Sequence, residues 1–250
     1  MKYKLLIVAG LAVLLATTGC KKEEQNVKHI AKIYEAMKAS MNGVPLFEEE
    51  LCLRQEWIWN GDKLATVKYY KSDGNLRTTA TYSYTDGKMT KIEDRPEDNE
   101  AIYHIDIEYD ANGRMSSIKE YGNDTLAHKY VFQYNGSDKI SSYTYTHYVY
   151  GELVEQNNNV LTWEGNNIVS VIRDGEDTTT FVYDNNPNPF HGIAQSGRFF
   201  EWLSVNNAVK MNDVIDKITY DDDGYPKQII TDIYQGTMLL SSIREIEYDR

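Results

Sequence analysis

The chain has 250 residues, of which 41% are apolar and 26% are charged, so it can bury a core of ordinary size. Acidic residues outnumber basic ones by 38 to 26, and the formal net charge is −12. A chain this acidic is repelled by phosphate backbones and by anionic lipids. We therefore expect no nucleic-acid partner and no membrane binding that is driven by charge.

The first segment has the pattern of a secretory signal. Lys2 and Lys4 are followed by an apolar run over residues 5–16, which is too short to span a bilayer. The Gly19-Cys20 pair resembles the lipobox of bacterial lipoproteins, although Thr17 stands where that motif usually has Leu. The resemblance implies a signal peptide over residues 1–19, a lipid on Cys20 and a lipid-anchored linker over residues 20–26.

The residues after Cys20 indicate a location. Residues 21–24 are Lys-Lys-Glu-Glu, which resembles the charged tag of surface-exposed lipoproteins of Bacteroides-type bacteria. We therefore expect an outer-membrane protein on the cell surface, held to the membrane through its lipid. The alternative is a secreted protein cut near Gly19, in which Cys20 is a free thiol.

The first element of the mature chain is ambiguous by periodicity. Val27, Ile30, Ile33 and Met37 have helical spacing. However, residues 29–35 also match residues 63–69, which follow the first turn of a repeat. The match to the repeat predicts a strand here.

A repeat of two aromatic or apolar positions, mostly followed by an Asn-Gly or Asp-Gly turn, organises the rest of the chain. The first three intervals between the second aromatic positions are 25 residues each. Apolar and polar residues alternate before the turns, which is typical of strands, and the dipeptides favour hairpins. The second aromatics are Trp59, Tyr84, Tyr109, Tyr134, Trp163, Tyr183, Tyr220 and Tyr248.

The repeat predicts an all-β fold with one domain over residues 27–250. We expect an up-and-down antiparallel meander of roughly 14 to 16 strands, curled or closed into a soluble barrel because so long an open sheet is unfavourable. Its turns should alternate between two ends. Gly61, Gly87, Gly113, Gly136 and Gly224 are expected at one end, and Gly74 and Gly175 at the other.

Two resemblances accompany this repeat. Residues 109–115, Tyr-Asp-Ala-Asn-Gly-Arg-Met, resemble the YD repeats of Rhs-type shell proteins. Residues 27–250 resemble a family of uncharacterised Bacteroides-type lipoproteins with a porin-like β fold, chiefly through residues 186–190 and 204–207. This implies a fold and a cell-envelope address but no activity. One strand face carries Asp106 and Glu108, so the continuous apolar band of a membrane barrel is not expected.

One segment breaks the repeat. Between Tyr183 and Tyr220 the interval rises to 37 residues, and residues 185–212 match no unit. They contain two prolines and a cluster of large apolar residues that predicts a short helix starting near Ser196. This insert either plugs one end of the barrel or binds a ligand there. The residues proposed for either role are Phe190, Phe199, Phe200, Trp202 and Tyr225.

No motif in the sequence carries a recognisable chemistry. The five histidines lack metal-ligand spacing, so no metal and no cofactor is expected, and no catalytic residue stands out. We interpret the chain as a non-catalytic binding or structural surface protein with a glycan or an envelope protein as partner. The alternative is a glycan-active or other hydrolytic enzyme with its site at the barrel mouth. Two carboxylates in one cavity would favour the enzyme, and an aromatic patch without them the binder.

Overall fold

The computed structural model describes residues 28–97, 102–194 and 199–249, with only the backbone of residues 199 and 200. The predicted signal peptide, Cys20 and the linker lie outside these residues. The described part contains seventeen strands and one short helix. They are β1 (His29–Met41), β2 (Val44–Glu48), β3 (Cys52–Asn60), β4 (Lys63–Tyr70), β5 (Leu76–Thr85), β6 (Lys88–Pro96), β7 (Tyr103–Tyr109), β8 (Met115–Gly122), β9 (Thr125–Tyr134), β10 (Ile140–Val149), β11 (Glu152–Glu164), β12 (Asn167–Arg173), β13 (Asp177–Pro187), α1 (Phe199–Leu203), β14 (Asn206–Met211), β15 (Val214–Tyr220), β16 (Pro226–Gln235) and β17 (Met238–Asp249).

The sheet closes on itself through its first strand. From β3 to β17 each strand pairs antiparallel with the next one in the chain. On one side β1 pairs with β17, and on the other it pairs with β2 and then β3. β2 and β3 pair with successive parts of the same edge of β1, so together they occupy one position in the sheet. The seventeen strands therefore form a closed barrel of 16 strands. The predicted all-β meander and its closure are confirmed.

The ambiguous first element is a strand, as the match to the repeat predicted. Its register with β17 shifts between Ile30 and Lys32, where one extra residue forms a bulge. The bulge puts Ile30 and Ile33 on the same face, opposite Tyr248 and Ile246. The three-residue spacing that imitates a helix is therefore produced by a β-bulge.

The turns lie at the predicted ends. The connections at Gly61, Gly87, Gly113, Gly136 and Gly224 share one end with the start of β1 and the connection from β13 to β14. We call this the insert end. Gly74 and Gly175 lie at the opposite end. At Gly113 the turn needs a φ of 79°, which a glycine adopts without strain.

The inner face of the barrel holds two apolar clusters. One gathers side chains from β1, β3 to β6 and β17, and includes Trp57, Val67 and Tyr82. The other gathers side chains from β7 to β13 and includes Phe132 and Ile168. The connection between β13 and β14 contributes to both. Its buried members are Phe190 and Ile193 in the first cluster and Ala194 and Trp202 in the second.

The second aromatic of most repeat units makes the same hydrogen bond. The Tyr109 hydroxyl donates to the carbonyl of Met89, over 2.8 Å. The register of the sheet shifts at Met89, so a bulge interrupts the ladder there and the hydroxyl supplies a donor from the next unit. The other pairs of donor and acceptor residue are Trp59 and Ile30, Tyr84 and Leu64, Tyr134 and Met115, Trp163 and Ile140, Tyr183 and Ile168, and Tyr248 and Pro226.

In four units a basic residue directly before the accepting carbonyl also covers the aromatic ring. The Lys88 ammonium lies 5.0 Å from the centroid of the Tyr109 ring, within the range of a cation–π contact. In these four units the aromatic ring is thus held twice, by a hydrogen bond from its polar atom and by a cation over its face. The other three pairs are Lys63 over Tyr84, Arg114 over Tyr134 and Lys139 over Trp163.

Candidate functional site

The insert covers one end of the barrel. Phe190 is 8% exposed, and its ring packs tilted on Trp57 at 6.2 Å between centroids. Trp202, which lies on α1, is 4% exposed and packs in the other apolar cluster. The insert therefore joins the two halves of the core across the insert end.

Polar side chains fix the path of the insert. The Asn188 amide donates to the carbonyl of Ser204 over 2.9 Å, and its oxygen accepts the amide N–H of Phe190 at 2.9 Å. The buried Ser204 hydroxyl accepts the amide N–H of Ile168 at 3.1 Å and donates to the Tyr183 hydroxyl at 3.0 Å. These bonds satisfy backbone groups of the insert and of the neighbouring strand β12, and they hold the described parts of the insert in place.

A second set of hydrogen bonds ties the two ends of the insert together. The Asp184 carboxylate accepts the amide N–H of Asn186 at 3.0 Å, the amide N–H of Asn207 at 3.2 Å, and the hydroxyl of Tyr220. The Asn207 side chain donates in turn to the carbonyl of Pro187 at 3.1 Å. The residues that set this segment apart in the sequence therefore serve to close the insert.

The predicted site residues are not all brought together. Phe190 and Trp202 lie in different halves of the core, and the side chains of Phe199 and Phe200 lie outside the described residues. Tyr225 also lies at the insert end, where its ring packs on Tyr248 at 5.4 Å between centroids. The burial of Phe190 and Trp202 favours the plug over the binding platform.

A smaller cavity, of about 330 Å³, adjoins the insert. Trp163, His191 and Leu203 line it together with Asp138 and Lys139. Lys139 covers the Trp163 ring and donates to the carbonyl of Gly165. The cation of this cavity and the face of its indole ring therefore already contact each other.

The opposite end of the barrel opens into a larger cavity, of about 530 Å³. We call it the open end, and the space within it the open-end cavity. Tyr103 is 49% exposed and stands beside Gly122 at the mouth, while Ala194 of the insert contributes to the wall. The other lining residues are Tyr69, Ala80, Tyr82, Ile92, Asp94, His104, Ile105, Glu120, Tyr121, Ala127 and His128.

The polar groups of this cavity are acidic, aromatic or imidazole. The Asp94 carboxylate accepts the hydroxyl of Thr78. Burial raises the pKa of Tyr82 well above its usual value, so this phenol stays neutral near pH 7. Burial and the neighbouring His147 lower the pKa of His128, which therefore stays mostly neutral at that pH. The described wall therefore combines the carboxylates of Asp94 and Glu120 with the rings of Tyr82 and His128.

The cavity residues were missed in the sequence because none belongs to a motif. Asp94, Glu120 and His128 come from three strands that the chain brings together only by pairing. A signal is nevertheless present. Each lies two positions from an inner-face core residue of its own strand, so the alternation places a titratable side chain on a face that should be apolar.

The rim of the open end carries several large exposed apolar residues beside its charged turn residues. Tyr150, at the tip between β10 and β11, is 98% exposed, and Tyr234, near the tip between β16 and β17, is 71% exposed. Large exposed apolar residues in one region are typical of contact surfaces. Others near this rim are Met41, Val44, Leu46, Ile102, Val149, Leu153 and Val154.

Comparisons with known proteins give a fold likeness only. No family model and no curated protein sequence matches the chain. A porin-like protein from Bacteroides uniformis shares 11% identity at a TM-score of 0.40, over 88% of this chain and 96% of that one. Two structures of TcdB2-TccC3, one with Cdc42 and one with TEV, share 14% and 12% identity at TM-scores of 0.31 and 0.33. They match over 78% and 80% of this chain but only 11% and 13% of theirs.

Proposed function

We propose that this chain is a lipid-anchored protein of the bacterial cell envelope that binds a small ligand inside its barrel. The observation that carries the proposal is the difference between the two ends. The insert covers one end, whereas the other opens into a cavity of about 530 Å³, a size typical of small-molecule sites.

The anchor and the cavity lie at opposite ends. β1 begins with His29 at the insert end, where it pairs with Asp249. His29 lies nine positions after Cys20, a reach of at most about 30 Å when the chain is fully extended. A lipid on Cys20 would hold the insert end towards the membrane and leave the open end facing away from it.

The outer wall of the barrel supports an anchored position over a membrane-embedded one. Glu56 and Lys68 form an ion pair of 3.1 Å on the outer face, and Lys217 and Asp232 form another of 2.8 Å. A lipid-facing wall needs a continuous apolar band, in which such charges are costly. Among the described residues, no helix is long and apolar enough to cross a membrane.

The predicted partners fit the open end. A glycan or another envelope protein would meet the exposed apolar residues of the rim, among them Tyr150 and Tyr234, before it reached the cavity. Tyrosine-rich rims are well suited to such contacts, because the ring is apolar and the hydroxyl can hydrogen-bond. The outer-membrane and cell-surface location is part of the same proposal.

Anchoring is tested by replacing Cys20 with Ser. The variant should move from the membrane fraction to the soluble fraction, because it lacks the acceptor of the lipid. Retention of Cys20→Ser in the membrane fraction without detergent would contradict anchoring through that residue.

Ligand binding is tested by thermal shift with a panel of neutral oligosaccharides, peptides, organic cations and organic anions. A ligand of the folded state should raise the Tm in proportion to its occupancy. Ala127→Phe puts a ring into the cavity and should abolish the shift, whereas Ala111→Phe, on an exposed turn at the insert end, should not. No shift with any class, or an equal shift with Ala127→Phe, would refute the site.

A hydrolytic enzyme acting on glycans is the second candidate. Asp94 and Glu120 line the same cavity, and most glycosidases use a pair of carboxylates. Release of nitrophenol from aryl glycosides, lost in both Asp94→Asn and Glu120→Gln, would favour this activity over simple binding.

A further inference from the structure

We propose that the rim of the open end binds a cationic amphipathic segment, which is a peptide or part of a protein that carries both basic and apolar side chains. The rim lies outside the open-end cavity, so this partner is additional to a cavity ligand and does not depend on one. Two groups of exposed apolar residues and a strongly acidic set of turns point to such a partner.

Four strands extend beyond their neighbours at the open end. β15 pairs with β16 only as far as Asp232, and β3 pairs with β1 only as far as Glu35. Past these residues, among the described strands, β16, β17, β1 and β2 pair only with one another. We call this four-stranded projection the flap. Its exposed apolar residues include Met37, Met41, Val44, Leu46, Phe47 and Tyr234.

The hairpin of β10 and β11 projects on the opposite side of the mouth. β9 pairs with β10 only as far as His147, and β12 pairs with β11 only as far as Asn159. β1 and β10 lie half-way round the ring of 16 strands from each other. Large apolar side chains exposed together are typical of surfaces that contact a partner. At this hairpin tip they are Val149, Tyr150, Leu153 and Val154.

The turns at this end determine the charge of the partner. By sequence, the nine connections at the open end contain ten acidic residues and one basic residue, Lys71. Strands about 4.8 Å apart and tilted by about 40° give a ring of 16 strands a circumference of about 100 Å. The acidic residues are therefore about 10 Å apart on average, which is about the Debye length at 0.1 M salt, so their fields overlap. Such a rim attracts basic side chains and repels acidic ones.

A second copy of the chain and an anionic membrane fit this rim less well. Another copy would bring the same acidic turns, and the whole chain has a net charge of −12, so contact between two mouths is opposed by repulsion. Anionic lipid is repelled for the same reason. A segment with both residue classes offsets the acidic turns and covers the apolar projections. A helix of about 20 residues is about 30 Å long, which matches the width of the ring between the flap and the hairpin tip.

The test compares peptides that separate charge from apolar surface. The mature chain is used with Cys20→Ser, so that it carries no lipid and no detergent competes for the peptides. Three labelled 20-residue peptides share one helical pattern and consist of Leu and Lys, Leu and Glu, or Ser and Lys. Fluorescence anisotropy should show the Leu/Lys peptide binding at least about tenfold more tightly than the other two, because it alone combines both features. Its binding should weaken as NaCl is added.

Substitutions of exposed residues locate the apolar part of the contact. Tyr150→Ser combined with Leu153→Ser removes apolar surface from the hairpin tip, and Val44→Ser combined with Leu46→Ser removes it from the flap. Each pair should weaken binding of the Leu/Lys peptide about tenfold.

The matched control for these pairs lies on the outer wall of the barrel. Ile58 and Val182 are 41% and 52% exposed there, between inward-facing core residues of their strands. Ile58→Ser combined with Val182→Ser should leave the affinity for the Leu/Lys peptide unchanged. The Tm of every variant is compared with that of the parent protein, so that a loss of folding is not mistaken for a loss of binding.

The acidic part of the contact is located in the same way. Glu152→Gln combined with Glu176→Gln removes two exposed charges beside the hairpin tip and should weaken binding about threefold. Asp86→Asn combined with Asp222→Asn removes two exposed charges at the insert end and should leave it unchanged.

Several outcomes would overturn this partner. They are equally tight binding of the Leu/Glu or Ser/Lys peptide, no binding of the Leu/Lys peptide, and binding that the rim variants keep at the level of their controls. Binding to phosphatidylcholine vesicles, or dimerisation in sedimentation, that is lost in the Tyr150→Ser and Leu153→Ser variant would instead identify a lipid surface or a second copy as the occupant. None of these results bears on the cavity ligand, which Ala127→Phe tests separately.

Discussion

The repeated hydrogen bond from an aromatic side chain to the preceding unit explains why the repeat needs tyrosine rather than phenylalanine. Replacing Tyr109 by Phe deletes one hydroxyl and leaves the ring in place. The lost contact is the 2.8 Å bond to the carbonyl of Met89. Lys88 keeps its position, because its ammonium also donates to the carbonyl of Gly113 at 2.9 Å.

The expected cost follows from this geometry. A net hydrogen bond contributes about 1 kcal/mol, and a partly buried carbonyl that loses its donor adds part of its desolvation penalty, which makes about 1.5 kcal/mol in all. For a domain of this size that loss lowers the Tm by about 3–6 °C. Tyr84→Phe, which deletes the bond to Leu64, should cost a similar amount.

Thermal and urea denaturation of Tyr109→Phe measure the loss directly. Tyr150→Phe is the matched control, because it makes the same chemical change on a ring that is 98% exposed, and it should fall within about 0.5 kcal/mol of the parent protein. If Tyr109→Phe costs no more than Tyr150→Phe, the hydrogen bond adds nothing and the proposed role of tyrosine in the repeat is wrong.

Three further predictions concern the insert and its surroundings. Trp202→Ala should cost about 3–5 kcal/mol in urea denaturation because the indole is buried, whereas a cost no greater than that of Leu153→Ala on the exposed rim would contradict the plug. Asn207→Ala should cost about 2–3 kcal/mol and speed amide hydrogen exchange in the insert, since it removes the donors to Asp184 and Pro187; unchanged exchange would argue against this clasp. Burial raises the pKa of Tyr183 to about 12, so stability present below the unfolded value of about 10 should be lost as the pH rises towards 12. Melting curves at pH 9 and pH 11 should show this loss and a smaller one in Tyr183→Phe, and a gain on raising the pH would refute it.

The fold could be predicted from the sequence because local signals agree with one another. The alternation around Ile105 and Ile107 and the Asp-Gly turn at Gly87 each specify hairpins, and hairpins joined in series leave little choice of topology. Even the first strand followed from its match to the repeat. Its spacing alone suggested a helix, because the extra residue of the bulge between Ile30 and Lys32 changes the two-residue alternation of a strand to a three-residue spacing.

The cavity could not be predicted in the same way. Whether Glu120 faces a ligand or a neighbouring strand depends on the register of β8 with β9 and on how far the insert fills the barrel. Both are set by contacts between residues far apart in the chain. The insert could be found because it breaks the repeat, and its aromatic residues are its most conspicuous feature in the sequence. Its asparagines Asn188 and Asn207, the second of which donates to the carbonyl of Pro187, proved to hold it in place.

Closure of the barrel by its first and last strands has a consequence for how the chain reaches this state. Glu35 of β1 and Arg244 of β17 pair across 209 positions of sequence, at 3.1 Å. Bringing such distant segments together costs about 5 kcal/mol of chain entropy, against about 1–2 kcal/mol for a hairpin. Hairpins therefore form early, and β1 pairs late, because its partner strand is synthesised about 209 positions after it. A chain truncated before β17 does not become a smaller barrel, but a curled sheet with β1 and β16 as two open edges, each able to recruit another chain.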